Sequence, residues 1–149
     1  MSHPVEQTNS PEVEMPAKPQ FRFEKLTVWQ SARRLCGEVY VATQAFPKEE
    51  LFGLTSQIRR AAVPISANIA EGSGRNSDAD FAHFLEIAYG SAMELAALLH
   101  VAVDTGRLGA GVCEVLPGLT AEVTTQLTAL NRSLVVRHVK TPFPRKVRV

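Results

Sequence analysis

A chain of 149 residues with 45% hydrophobic and 21% charged side chains has room for one domain with a real core, which excludes an intrinsically disordered protein. Two cysteines, Cys36 and Cys113, stand far apart without CxxC or Cys/His spacing, which excludes a disulfide framework or a zinc finger and leaves two buried free thiols as the expectation. The net charge of +1 conceals an uneven distribution. Residues 1–20 carry three acidic groups and one Lys, residues 21–131 nine basic and twelve acidic, and residues 132–149 six basic and none acidic, or −2, −3 and +6 in turn.

No basic stretch followed by an apolar run opens the chain, and nowhere do about eighteen apolar residues stand together, so a cytoplasmic protein with no membrane partner is expected. Residues 1–20 hold four prolines and few large apolar groups and read as a disordered extension. Phe21, Phe23 and Leu26 read as a short extended lead, after which Thr27 and Gln30 have capping-box spacing. The first predicted helix runs to about Ala45, with Val28, Ala32, Leu35 and Val39 on its buried stripe.

Phe46-Pro47 closes that helix and opens the next, whose first turn gains from Glu49 and Glu50 and which runs to about Glu71. Leu51, Leu54, Ile58, Ala61, Ala62, Ile65 and Ile69 make its inner face, while Gln57, Arg60, Asn68 and Glu71 fall on a polar stripe. Pro64 removes a hydrogen bond to the Arg60 carbonyl and predicts a bend. Gly72 and Gly74 then give a stop, and Ser77, Asp78 and Asp80 a new start. Phe81, Phe84, Ala88, Ser91, Leu95, Leu98 and Ala102 alternate three and four residues, widened by Leu85, Ala92 and Leu99. Gly90-Ser91 leaves a notch where another backbone can approach.

A turn over residues 105–111 precedes a fourth helical pattern through Leu116, Leu119, Val123, Leu127, Leu130 and Leu134. Pro117-Gly118 predicts that its regular part begins near Pro117, with residues 111–116 as a separate turn. Residues 136–149 read as an irregular basic tail. The sum is all-α: an antiparallel up-down-up-down four-helix bundle over residues 21–135.

No constellation reads as an active site, and no cofactor is called for. A di-iron bundle needs two Glu-x-x-His helices, and Asp80 with His83 is a single approximation that fits an exposed first turn better. His83, Glu86 and Glu94 share a face and, with Arg59 and Arg60, read as salt bridging within the bundle or between subunits. EGSGRNS lacks the Lys-Ser/Thr ending of a phosphate-binding loop and follows a helix rather than a strand. Arg59, Arg60 and Arg75, with Arg137, Lys140, Arg145 and Lys146 of the tail, offer a cationic surface for nucleic-acid backbone; the tail read alone is equally a solubilising segment. Neither aromatic interleaving nor helix-turn-helix spacing supports reading of base sequence.

The segments LTVWQSA (Leu26 to Ala32), AFPKEELFGLTSQIRRAAVPISANIAEGSGR (Ala45 to Arg75) and FAHFLEIAYGSAMEL (Phe81 to Leu95) carry a resemblance. From Phe23 to about Leu134 the chain resembles the bacterial four-helix-bundle family named for proteins encoded by 23S rRNA intervening sequences. Where this chain has Pro64 the family usually has Ser, with proline often two positions later, and the fourth helix and both tails match poorly. The resemblance implies an up-down bundle assembling into a homopentameric ring, with no enzymatic activity established. The family name records where some of the genes sit and implies no action on ribosomal RNA. A related branch is similar to the accessory protein of diversity-generating retroelements, which binds nucleic acid and a reverse transcriptase through basic surface.

Two expectations follow. The first is a non-catalytic ring-forming bundle that binds RNA or DNA backbone through the cations named above. The second is a structural or adaptor protein with a protein partner. The expected subunit interface is Gln57, Arg60, Asn68, Glu71, Glu86, Gly90 and Glu94.

Overall fold

The computed structural model describes residues 18–140. Outside that description lie the extension over residues 1–17, the tail residues Arg145, Lys146 and Arg148, and the side chains of Cys113 and residues 138–140. Four α-helices are present among the described residues: α1 (Thr27–Gln44), α2 (Leu54–Ser73), α3 (Asp78–Asp104) and α4 (Ala110–Lys140). Each packs against its neighbours in sequence, and α4 returns to α1, which closes an up-down-up-down bundle with the α2–α3 pairing the most extensive.

The chain enters through a 3-10 turn, Arg22–Lys25, rather than an extended lead. That turn displaces the expected capping box. Thr27 is the first helical residue and makes no capping bond, and Gln30 Nε2 instead donates to the Glu24 carbonyl at 2.9 Å. The buried face of α1 is Val28, Ala32, Leu35, Val39 and Thr43, at helical spacing.

Pro47 opens a 3-10 turn, Lys48–Glu50, and α2 begins seven residues later than Pro47, at Leu54. The reason lies in Glu50. One carboxylate oxygen accepts the Leu54 N–H at 3.2 Å and the other pairs with Arg107 Nη2 at 3.2 Å, so Glu50 caps α2 from outside instead of riding in its first turn. Leu51 is therefore left in the turn, 50% exposed, while Leu54, Ile58, Ala61, Ala62, Ile65 and Ile69 are buried as their spacing predicts. The helix continues through Pro64, and Asn68 Nδ2 donates to the Pro64 carbonyl at 2.8 Å.

Ser77 caps α3, its hydroxyl accepting the Asp80 N–H at 3.1 Å. Phe81, Leu85, Ala88, Ala92, Leu95, Leu99 and Ala102 form its buried face. In α4 both sequence expectations are corrected. Residues 110–116 are continuous with the rest of the helix, and residues 136–140 are helical too. Leu116, 1% exposed, anchors the first turns in the core, and its carbonyl accepts the buried Thr120 hydroxyl at 2.8 Å, so packing outweighs the roughly 3 kcal/mol disfavour of Pro117. At the other end nothing before Pro142 opposes a helix.

α2 and α3 approach closely at Gly72. A Cβ built on Gly72 would lie 2.6 Å from Phe84 Cβ and 2.9 Å from Phe81 Cδ2. Gly72→Ala is expected to lower stability by about 1–3 kcal/mol in urea denaturation, because the crowded atoms are a main-chain-proximal carbon and a core ring. Gly37→Ala, where the added methyl meets nothing within 4 Å, is expected to gain up to about 1 kcal/mol.

Candidate functional site

α3 is long and apolar enough, by length and composition, to cross a membrane, yet only 28% of its most apolar window is buried in the single chain. The excess lies on its outward side. Ile87, Tyr89, Met93, Val101 and Val103 are each at least 40% exposed, with Gly90 and Glu94 between them. A methyl on Gly90 would meet nothing within 4 Å, and its φ is not positive, so neither crowding nor backbone geometry within this chain requires glycine there.

Beside that face, two clefts follow one another between α3 and α4. The first, about 440 Å³, is lined by Met93, Ala96, Leu99, His100, Val103, Pro117, Thr120, Ala121 and Thr124 and is largely apolar. The second, about 320 Å³, is lined by Leu85, Glu86, Tyr89, Leu127, Thr128, Asn131 and Arg132. Asn131 Oδ1 is shut away from solvent with no hydrogen-bond partner, which leaves an acceptor unsatisfied on the side of this cleft.

The cations fall into two places. Arg59 lies over the Tyr40 ring, 4.6 Å from its centroid, and donates Nε–H to the Thr43 hydroxyl at 2.9 Å. That hydroxyl, on a residue only 3% exposed, donates onward to the Val39 carbonyl at 2.8 Å, so Arg59 is held rigidly. Arg60 is exposed beside it, and both line an open groove of about 470 Å³ with Tyr40, Ser56, Val63 and Pro64. Arg75 is at the far end of α2, where its guanidinium pairs with Glu71 at 2.9 Å and covers the Phe84 ring at 4.6 Å. The last turns of α4, with Arg137 and Lys140, reach that same end, and there Arg22 Nη1 donates to the Ser73 carbonyl at 3.4 Å.

The expected salt bridging of Arg59 and Arg60 to the acids of α3 is not made within this chain. Arg59 is instead captured by the Tyr40 ring and the Thr43 hydroxyl, and ion pairs form elsewhere, at Arg75–Glu71 and Arg107–Glu50. Of the expected interface residues, Gln57, Arg60 and Glu71 are exposed on α2 and Asn68 is half-buried, while Glu86, Gly90 and Glu94 are exposed on α3. Asp80 and His83 lie exposed in the opening turns of α3, and no three His, Cys, Asp or Glu side chains cluster among the described residues. Sequence reading missed the Tyr40–Arg59–Thr43 unit, since its members are split between two helices. It also missed the exposure of Leu51-Phe52, which two large apolar residues ahead of a glycine in a helix connection could have signalled.

Fold and surface together define an all-α, antiparallel four-helix bundle. The family model for 23S rRNA-intervening sequence proteins matches residues 24–129, and the chain belongs to that family. It is similar in fold to a crystal structure of a protein of unknown function from the S23 ribosomal protein family of Bacteroides thetaiotaomicron VPI-5482. The likeness has 23% identity and a TM-score of 0.65, covering 70% of this chain and 95% of that one. No curated protein matches the chain.

Cys36 is a half-buried free thiol whose pKa is raised by desolvation, which disfavours the thiolate. In a Cys113→Ser background, alkylation of Cys36 by iodoacetamide is expected to be slower than that of a small free thiol, with its pH profile displaced upwards. Denaturation in urea is expected to remove the difference. Reaction at the free-thiol rate in native protein would refute the burial effect.

Proposed function

We propose that this protein is a non-catalytic, self-assembling bundle, a homopentameric ring of the cytoplasm that contacts RNA or DNA backbone without reading sequence. The observation that carries the assembly half is the outward side of α3, where Ile87, Tyr89 and Met93, each at least 40% exposed, flank an exposed Gly90 with no local need for glycine, and Val101 and Val103 continue the exposed apolar surface towards the helix C-terminus. Apolar area of that kind on a bundle is covered in the working state, and small residues between large ones let a second backbone approach.

The nucleic-acid half is assigned to one end of the bundle. Arg75 is paired with Glu71, so the reading rests mainly on the basic run at the α4 end and the chain beyond it, where residues 132–149 carry six basic side chains and no acid in sequence. Light scattering on the purified chain is expected to give five times the protomer mass, and a protomer mass at all concentrations sinks the assembly half. Mixed-sequence RNA or DNA is expected to be retarded at low salt and released at high salt. Deleting residues 141–149 removes three cations and is expected to flatten the log-affinity against log-salt slope by up to about 0.9 per lost phosphate contact. Without retardation at low salt, the adaptor reading takes over, and a partner captured equally well after nuclease treatment is its signature.

A further inference from the structure

Phe52 is 94% exposed, its neighbour Leu51 50%, and together they form an apolar knob at the tip of the α1–α2 connection. The same chain carries an unfilled apolar cleft between α3 and α4, bounded by Leu99, Val103, Pro117 and Ala121. We infer that the knob of one copy seats in the α3–α4 cleft of the next, in a head-to-tail contact that rests on the self-assembly reading above and gives it its two complementary surfaces.

Level along the bundle supports the pairing. Gly72 meets Phe81 and Phe84, and α2 and α3 run antiparallel at the same rise per residue, so each step back along α2 matches a step forward along α3. Eighteen residues back from Gly72 is Leu54, which stands level with residues 99–102, and twelve back is Arg60, level with residues 93–96. The knob is thus at the height of the cleft, and Arg60 at the height of Glu94. A rotation about an axis parallel to the helices preserves height, so both pairs can meet between neighbours at once, and such a contact closes a ring instead of climbing into a filament.

Charge agrees with shape. Arg60 is exposed on the α2 side and Glu94 on the outward face of α3, and neither has an ion pair among the described residues. A seated Phe covers about 150–250 Å². A stable contact needs about 800 Å² per partner, and the exposed Ile87, Tyr89 and Val101 of α3, outside the cleft lining, extend the contact in that direction.

The test uses two variants that leave the protomer intact, because both positions are exposed: Phe52→Ala removes the knob and Ala121→Trp fills the cleft. Each alone is expected to weaken association at least about tenfold and run at protomer mass in light scattering. Mixed together they restore one good knob and one good cleft, so the mixture is expected to stop at a two-protomer species. Arg60→Glu or Glu94→Arg is expected to weaken assembly and the double variant to recover it. If the wild-type protein assembles and both Phe52→Ala and Ala121→Trp keep its full mass, or if their mixture gives no pair, the knob-and-cleft contact is overturned while self-assembly stands. A wild-type protomer at every concentration overturns both.

Discussion

α2 and α3 close on one another at Gly72 so tightly that one register is permitted. A side chain there would overlap Phe84 Cβ and the Phe81 ring, and sliding the helices by a turn would bring a bulkier residue to the same spot. Much else is set from that point. It brings Arg75 over the Phe84 ring, lays the entry turn where Arg22 reaches the Ser73 carbonyl, and fixes the height of the α1–α2 tip against the C-terminal half of α3. The opposite end is fastened separately, by the Glu50 carboxylate that caps α2 and holds Arg107 of the α3–α4 connection.

The bundle was legible in the sequence because its core obeys local rules. The Ser77 cap, the unbroken stripe of α3 and the inner face of α2 are periodic patterns that need no knowledge of the rest of the chain. Boundaries failed where a distant partner decided them. Glu50 belongs to α2 by spacing, but its pairing with Arg107 makes it a cap instead. Pro117 opposes a helix locally and is overruled by the burial of Leu116.

Surfaces were less legible, for a related reason. A list of arginines treats each as a free charge, whereas Arg75 is paired with Glu71, Arg59 is locked between Tyr40 and Thr43, and Arg60 is left exposed. Which cation is available depends on tertiary neighbours that spacing does not reveal. The apolarity of α3, by contrast, was visible as a pattern but its meaning was not. The widening residues Leu85, Ala92 and Leu99 are core in the fold, whereas Ile87, Tyr89, Met93, Val101 and Val103 lie outside the periodic stripe, and only the fold shows that they leave an apolar outward side.

That division gives the proposed assembly a polarity. If the α1–α2 tip of one copy meets the α3–α4 cleft of the next at equal height, every bundle in the ring points the same way. All the α4 C-termini then emerge on one rim, and cations that are sparse on a single chain become a continuous basic annulus. Weak phosphate contacts held at fixed spacing act together with an effective concentration that no protomer supplies alone. In the proposed ring, a chain whose net charge is only +1 would present its basic ends together, with the acidic bodies of the bundles behind the rim, which is the arrangement that the nucleic-acid reading requires.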